Sequence, residues 1–501
     1  MWPRQAGVLL HPTSLPGPHG LGDVGPEARS FADWLARAGV KLWQVLPLGP
    51  PGGTLQNNPY VSWSPLAGNP LLVSLHDLHE AGLLERGELE GPSFPAHSVD
   101  FARVRAFKSD RTRLAADRLL RAPAHPLHGA LQDFRARARW AQDTGLFAAL
   151  KAQQGGTHWW AWPEPLRRCD PASLLSARRE LAAEIDCTVT EQFLFEHQWR
   201  SLRGYCRERG IRILGDVPIY LTHDSCDVWM HQDHFRLLES GMPEFVGGAP
   251  PDVFSARGQR WGCPTYDWER MARDDYAWWR ARLARALEHA DCVRLDHFRA
   301  FSAHWEIPAS AQTAAAGRWV QGPGLRFFET ARRHLGDLPL CAEDLGTIDA
   351  DVETLLAATG FPGMRILHYA FDGDGKSTHL PHNHVENCIV YPGNHDNDTT
   401  VGWWSSRPPH ERSTVQRYLG RHGDDISWDL IRAALASVAS VAAIQLQDVL
   451  ALPGDARMND PTSYGLPFDQ QRNWRWRALP GALSDWHAER LRHLCELYGR
   501  A

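Results

Sequence analysis

The sequence predicts an α/β fold, a (β/α)8 TIM barrel with inserted, mainly helical subdomains. Three observations favour this fold. Eight short apolar runs are distributed along the 501 residues, helical patterns lie between most of them, and polar residues follow the C-terminal ends of many runs. An open doubly wound sheet is the competing architecture, but no Gly-rich phosphate loop follows the first run, and the polar residues do not cluster at one switch point.

Each predicted strand is an apolar or β-branched run that ends in polar residues. Several runs are nearly continuous in apolar character, which is typical of strands buried on both faces. Helical patterns such as DYAWWRARLARALEHA (275–290) separate them. In chain order the runs are GVLLHPTS (7–14), KLWQVLPLG (41–49), IRILGDVPIY (211–220), CVRLDHFRAF (292–301), LPLCAEDLG (338–346), MRILHYAFDG (364–373), CIVYPGNHDND (388–398) and the weaker VAAIQLQDVL (441–450).

Two gaps between predicted strands are too long for simple crossovers. The gap before the third strand carries helix-like segments, and we predict a mainly helical insertion at residues 69–200. The second predicted insertion, residues 222–275, is rich in Gly, Pro and aromatic residues. This composition favours an ordered loop over the active site, although a purely structural loop is the alternative. We therefore predict one catalytic barrel, residues 1–501, with two insertions.

Charge and cysteine content exclude several classes of partner. A formal charge of -6, a pI near 6.5 and the lack of a Lys/Arg-rich block argue against nucleic-acid or anionic-membrane binding. The apolar stretches are too short for a signal-peptide core or a membrane span, so we expect no membrane association and a cytoplasmic location. The nine cysteines form no C-x-x-C motif. They predict free thiols, without a disulfide framework or a zinc site.

The predicted strand ends are dense in carboxylates. Arg294 and Asp296 lie two residues apart, so both can point into the barrel, where the guanidinium can orient the carboxylate. Glu343 follows the next strand, which predicts that it lies close to Asp296. Such a mouth suits glycosidic chemistry, in which one carboxylate attacks or shields the anomeric carbon and a carboxylic acid protonates the leaving oxygen. A retaining mechanism requires a separation of about 5–5.5 Å between the two groups.

Each of these residues also has a simpler interpretation. A single Asp or Glu after a strand is often a helix cap or a loop anchor, and Tyr60 could be packed core. His395, Asp396 and Asp398 could together bind a metal. Partner histidines at a recognisable metal spacing are missing elsewhere in the sequence, so we predict no metal.

Four of the strand ends resemble, in order, the four motifs of the α-amylase clan: GDVPIY (215–220), VRLDHFRAF (293–301), CAEDLG (341–346) and GNHDNDTT (393–400). With LLHPTSLPGPHGLGD, SPLAGNPLLVSL, PPDVFSARGQRWG and HYAFDG, they resemble the 4-α-glucanotransferases called amylomaltases or disproportionating enzymes, glycoside hydrolase family 77. The resemblance covers nearly the whole chain. It implies a barrel with inserted subdomains and no C-terminal β-sandwich.

The resemblance implies a role for each candidate residue. Asp296 would be the nucleophile, Glu343 the acid/base, and Asp396 the group that stabilises the distorted sugar. The other matching positions would contact substrate. Asp216, Arg294 and His395 would contact the sugar that precedes the cleaved glycosidic bond, and Tyr60 would stack beneath that sugar. On the acceptor side, a covering loop would contribute Phe254, Gln259 and Trp261. Asp372 is a further matching position.

The activity implied by the resemblance is retaining transfer of α-1,4-glucan segments between maltooligosaccharides through a covalent glycosyl-Asp intermediate. Glucose could serve as acceptor, intramolecular cyclisation is possible, and no cofactor is required. The sequence departs from the family pattern at WGCP, where WGNP is expected, and at Val253, a change that bears on the acceptor side. The alternatives are a non-catalytic α-glucan-binding protein and a metal-dependent barrel hydrolase.

Overall fold

The computed structural model describes residues 2–52, 57–251, 257–465 and 472–501. Among these residues, twelve strands form two sheets, one of eight strands and one of four. The strands are β1 (Gln5–Leu9), β2 (Leu42–Gln44), β3 (Arg212–Val217), β4 (Phe245–Ala249), β5 (Gln259–Pro264), β6 (Cys292–Leu295), β7 (Ala303–Pro308), β8 (Arg318–Gln321), β9 (Leu340–Ala342), β10 (Gly363–Ile366), β11 (Cys388–Tyr391) and β12 (Val441–Gln445).

The eight-stranded sheet is a parallel barrel with the order β10-β11-β12-β1-β2-β3-β6-β9. The amide of Ala342 in β9 donates to the carbonyl of Pro362, immediately before β10, at 2.9 Å. This bond brings the two outer strands together. Each of the eight predicted runs contributes one barrel strand, so the predicted TIM barrel is confirmed.

The barrel interior is a packed core. Its side chains come from seven of the eight strands, and the same strands are covered by helices on their outer faces, which explains the nearly continuous apolar runs. All four residues of β11 are buried, for example. The interior cluster consists of Leu42, Leu214, Cys292, Cys341, Met364, Ile366, Ile389, Tyr391, Val441 and Ala443.

Helices occupy most of the chain between the strands. Within the described ranges none of them is both apolar enough and long enough to cross a lipid bilayer. They are α1 (Pro26–Arg37), α2 (Leu75–Glu80), α3 (Phe101–Arg121), α4 (His128–Arg137), α5 (Arg139–Gln153), α6 (Glu164–Arg167), α7 (Pro171–Glu180), α8 (Ala182–Glu208), α9 (Cys226–Met230), α10 (Trp268–Ala272), α11 (Ala277–His289), α12 (Gly324–Leu335), α13 (Ala350–Thr359), α14 (Thr400–Ser406), α15 (Pro409–Leu419), α16 (Ile426–Ala436), α17 (Leu446–Val449) and α18 (Asp485–Leu497).

Helices α2 to α8 all lie between β2 and β3, where the sequence indicates a helical insertion. The longest of them, α8, packs against α3 and α5. The boundaries of this insertion and of the second one, residues 222–275, stay predictions.

The second sheet is antiparallel, with the order β5-β4-β7-β8, and sequence analysis did not predict it. β4 has the sequence FVGGA, and two glycines in five residues hide the alternation that indicates a strand. Gly247 is required by a close approach, because a Cβ at this position would lie 2.6 Å from the ring of Tyr220. The sheet is thereby packed against the segment that follows β3.

A buried ion pair joins α3 to the loop between β1 and α1. The Lys108 ammonium donates to Asp23 Oδ2 at 2.8 Å, and the Lys108 side chain is fully buried. Asp23 Oδ1 accepts from the amide of Gly25 at 3.0 Å, at the start of α1. The pair therefore connects a helix of the β2–β3 stretch to the first helix of the barrel.

We expect Lys108→Met to lower the free energy of unfolding by about 3–5 kcal/mol, because it leaves the Asp23 carboxylate buried without its counter-ion. The double variant Asp23→Asn/Lys108→Met removes both charges and should recover part of the loss. Urea and thermal unfolding of the wild type, the two single variants Lys108→Met and Asp23→Asn, and the double variant measure this. The coupling is contradicted if Asp23→Asn lowers the free energy of unfolding as much in the Lys108→Met protein as it does in the wild type.

Candidate active site

The guanidinium of Arg294 lies at the centre of the candidate site. Its Nη1 donates to both oxygens of Asp216, at 2.9 and 2.8 Å, and lies 2.9 Å from Asp296 Oδ1. Arg294 in β6 is paired in register with Asp216 in β3, so adjacent strands present the two side chains on one face. Arg294 is only 1% exposed. One buried cation therefore orients two carboxylates at the barrel mouth.

Glu343 follows β9, and its carboxyl group is oriented by two backbone amides. The amide of His297 donates to Oε2 at 2.7 Å, and the amide of Leu345 donates to Oε1 at 2.9 Å. The Glu343 amide itself donates to the carbonyl of Leu295 at the end of β6. Asp296 and Glu343 thus extend from neighbouring strands, as the sequence predicts.

Burial and mutual repulsion raise the pKa values of these acids. Burial raises the pKa of Glu343 to about 7, and the Asp296 charge adds to it while Arg294 opposes it. Burial likewise raises the pKa of Asp296, opposed by Arg294 and reinforced by Asp396. Asp216 has a pKa of about 7, mainly because it is buried. A carboxyl group with a pKa of about 7 and a neighbouring carboxylate held on a guanidinium have the properties that an acid–nucleophile pair requires.

Asp396 and His395 lie in the turn after β11. Asn459 Nδ2 donates to Asp396 Oδ1 at 2.7 Å, and Arg457 Nη2 donates to the Asp396 carbonyl at 2.6 Å. His395 Nε2 lies 3.4 Å from Asp396 Oδ2, and burial lowers the pKa of His395. Sequence analysis assigned no role to Asn459 or Arg457, because their contacts join segments about sixty residues apart.

Tyr60 connects the two halves of the site. Its hydroxyl donates to Asp216 Oδ2 at 2.7 Å and lies 2.8 Å from His395 Nε2. Trp474, to which sequence analysis assigned no role, packs against the Tyr60 and His395 rings at 5.9 and 6.1 Å between centroids. Its backbone is left-handed, with φ 66°, and sequence gives no signal for that conformation in a tryptophan. Aromatic rings therefore form one wall of the site.

The remaining residues that are predicted to contact substrate are half-buried or exposed in the described part of the chain. Trp261 in β5 is half-buried and meets the His297 ring edge to face, with centroids 4.8 Å apart. Gln259 is exposed and accepts a bond from the Trp261 indole at 3.1 Å. Asp372 is exposed in the loop after β10, where it accepts from the Asp374 amide. Phe254 lies outside the described residues.

Asp398 does not cluster with His395 and Asp396, the two residues with which it could have formed a metal site. Its Oδ1 accepts from the amide of Thr399, and its carboxylate packs against Gly402 in α14. In the described part of the chain, one group of at least three clustered acidic and histidine residues has metal-ligand spacing, and it lies on α2: His76, Asp77 and Glu80. Asp77 is already paired with Arg29 at 2.9 Å.

Comparisons with known proteins show which family this sequence is similar to. The sequence profile of the family described as 4-alpha-glucanotransferase, glycoside hydrolase family 77, matches residues 10–481. A 4-alpha-glucanotransferase of Thermus thermophilus is 44% identical over 99% of this chain and 98% of that protein. A plastid 4-alpha-glucanotransferase of Solanum tuberosum is 43% identical over 99% of this chain and 86% of that protein.

A solved structure is similar over the whole chain. Amylomaltase from Streptococcus agalactiae, in complex with acarbose, superposes with a TM-score of 0.95 at 34% identity. The match covers 99% of this chain and 100% of that one. The barrel, the helices and the second sheet therefore belong to one shared architecture.

We expect kcat/KM for glycosidic cleavage to be bell-shaped in pH. It should fall above pH about 7, because Glu343 then loses the proton that it must donate. It should also fall at acid pH, because Asp296 gains a proton at a pKa above its usual value. The pH profile of a donor with an activated leaving group is the control, since the upper limb should disappear when no acid is needed. An upper limb that persists with such a donor would contradict the assignment to Glu343.

Proposed function

The chain belongs to the 4-alpha-glucanotransferase family, glycoside hydrolase family 77, and on that premise we propose that it transfers α-1,4-glucan segments between maltooligosaccharides with retention of configuration. The observation that carries this proposal is the pair of acids at the barrel mouth. Asp296 is held on Arg294, and the neighbouring Glu343 carboxyl has a pKa of about 7.

In the proposed first step, Glu343 donates its proton to the glycosidic oxygen while Asp296 attacks the anomeric carbon. The bond to the leaving sugar breaks, and a covalent glycosyl-Asp296 ester forms. Positive charge develops at the anomeric centre, and Asp396, oriented by Asn459, would stabilise it. Asp216, Arg294, His395 and Tyr60 would contact the same sugar.

In the proposed second step, the 4-hydroxyl of an acceptor sugar gives its proton to Glu343 and displaces Asp296. Maltooligosaccharides and glucose are the proposed acceptors, and a hydroxyl of the same chain would give a cyclic product. Side chains of this protein supply both the nucleophile and the proton, so the mechanism requires no metal or organic cofactor. Transfer exceeds hydrolysis only if the acceptor is bound and water is excluded.

Trp261, Gln259 and Phe254 are the proposed acceptor-side contacts, and Asp372 is a further proposed contact. We also propose that residues 222–275 cover the site as an insertion and that residues 69–200 form a helical one. The position of Trp261 beside His297, next in sequence to Asp296, supports the first of these assignments.

We propose a cytoplasmic location and partners limited to α-glucans, without nucleic acid or membrane. All nine cysteines are free, seven of them buried, and this favours a reducing compartment. The net charge of -6 supports the absence of a nucleic-acid partner.

We expect maltotriose to yield a ladder of longer and shorter oligomers with some glucose, because each transfer makes one bond for every bond it breaks. Chromatography of the products and a reducing-end assay on the same samples measure this. Total reducing ends should stay nearly constant. A steady rise would make the protein a hydrolase, and binding of maltotriose without turnover would make it a binding protein.

We expect Asp296→Asn and Glu343→Gln each to lower turnover of maltotriose by about three or more orders of magnitude, because each removes one partner of the acid–nucleophile pair. Circular dichroism and thermal unfolding would verify that the fold is intact. Asp337→Asn, an isosteric change at an exposed position between α12 and β9, is the matched control and should have a much smaller effect. Near-normal turnover in Asp296→Asn or Glu343→Gln would refute the roles.

A further inference from the structure

His297 has an unusual backbone conformation directly after the proposed nucleophile. It is left-handed, with φ 52° and ψ 51°, between the end of β6 and the 3-10 helix Phe298–Phe301. For a residue with a Cβ atom this conformation is strained, because the Cβ lies close to the following carbonyl oxygen. Glycine would make the same turn without strain, so the turn alone does not require an imidazole.

The backbone and the ring of His297 face different parts of the site. The amide donates to Glu343 Oε2 at 2.7 Å, so the turn helps to orient the proposed acid/base. The ring contacts Trp261 edge to face, with an interplanar angle of 88°. Trp261 belongs to β5, at the edge of the second sheet, whereas Glu343 follows a barrel strand. His297 is thus one residue in contact with both.

The His297 ring has no other polar engagement that would explain its position. Its Nε2 is buried and has no hydrogen-bond partner among the described residues. Burial, and secondarily the Arg299 charge, lower the pKa of His297 to about 4, so the ring is neutral near pH 7. A neutral, half-buried imidazole packed on an indole acts through its contact surface and its one buried nitrogen.

We propose that His297 is a positioning residue that couples acceptor binding at Trp261 to the orientation of the Glu343 carboxyl. An acceptor sugar packed on Trp261 presses the indole against the His297 ring. The rigid left-handed turn transmits this contact to the amide that holds Glu343 Oε2. The second step needs Glu343 aimed at the acceptor hydroxyl, so this coupling favours transfer over hydrolysis. The inference rests on the proposed function and deepens it.

A double-mutant cycle tests the coupling. His297→Gly keeps the left-handed turn and its amide but removes the ring, and Trp261→Ala removes the indole. We expect each single variant to lower kcat/KM for the acceptor by about tenfold, mainly through KM, and to raise the fraction of donor hydrolysed. The double variant should show about the same tenfold loss, because both changes remove one contact.

Two further variants separate the ring from the backbone. His297→Ala also removes the ring but keeps the Cβ atom that the wild-type turn already accommodates, so the amide bond to Glu343 should persist and the upper limb of the pH profile should stay in place. His297→Asn, which tolerates the left-handed region, should resemble His297→Gly and replaces it if that variant folds poorly. Trp486→Ala, an exposed tryptophan on α18, is the matched control and should combine additively with His297→Gly.

A hundredfold loss in the His297→Gly/Trp261→Ala protein, or an unchanged acceptor KM in His297→Gly, would overturn the inference. The wild-type protein in the same assay tests the proposed function separately. If it builds a ladder from maltotriose while the cycle is additive, the coupling fails and the function stands. If the wild-type protein makes no ladder, the proposed function fails first.

Discussion

The buried guanidinium of Arg294 is the constraint on which the geometry of the site depends. Burying a cation is costly unless it is paired with acceptors, and here Asp216 and Asp296 both contact the guanidinium at one nitrogen atom, Nη1. Strand pairing fixes this contact, because Asp216 and Arg294 are register partners in β3 and β6. A slip of one residue would turn one of the two side chains to the opposite face of the sheet.

The acids around this cation outnumber it, and their burial is the main cause of their raised pKa values. Asp216, Asp296 and Glu343 share one guanidinium in a buried pocket, so their pKa values rise despite its charge. The Glu343 carboxyl group accepts hydrogen bonds from two backbone amides, whereas Asp216 and Asp296 are paired directly with the guanidinium. A carboxyl group with a pKa of about 7 and a second carboxylate held on a guanidinium are what an acid–nucleophile pair requires.

Local patterns in the sequence were sufficient to predict the barrel, because strands that are covered on both faces have nearly continuous apolar sequences. They also predicted that Asp296 and Glu343 extend from successive strands. The second sheet could not be predicted, since the glycines of β4 fit the Tyr220 ring rather than a strand pattern. Asn459 and Trp474 were missed because long-range contacts and a left-handed tryptophan leave no local signal. The roles of the site residues stay predictions.

Mass spectrometry of a trapped intermediate would test most directly whether Asp296 is the nucleophile. In Glu343→Gln, an α-maltosyl fluoride needs no acid for its leaving group, whereas release of the enzyme-bound sugar still needs a base. The account predicts that the protein gains the mass of one maltosyl group and that the label lies on the peptide containing Asp296. A label on another residue, or release of fluoride at the wild-type rate without any adduct, would contradict it.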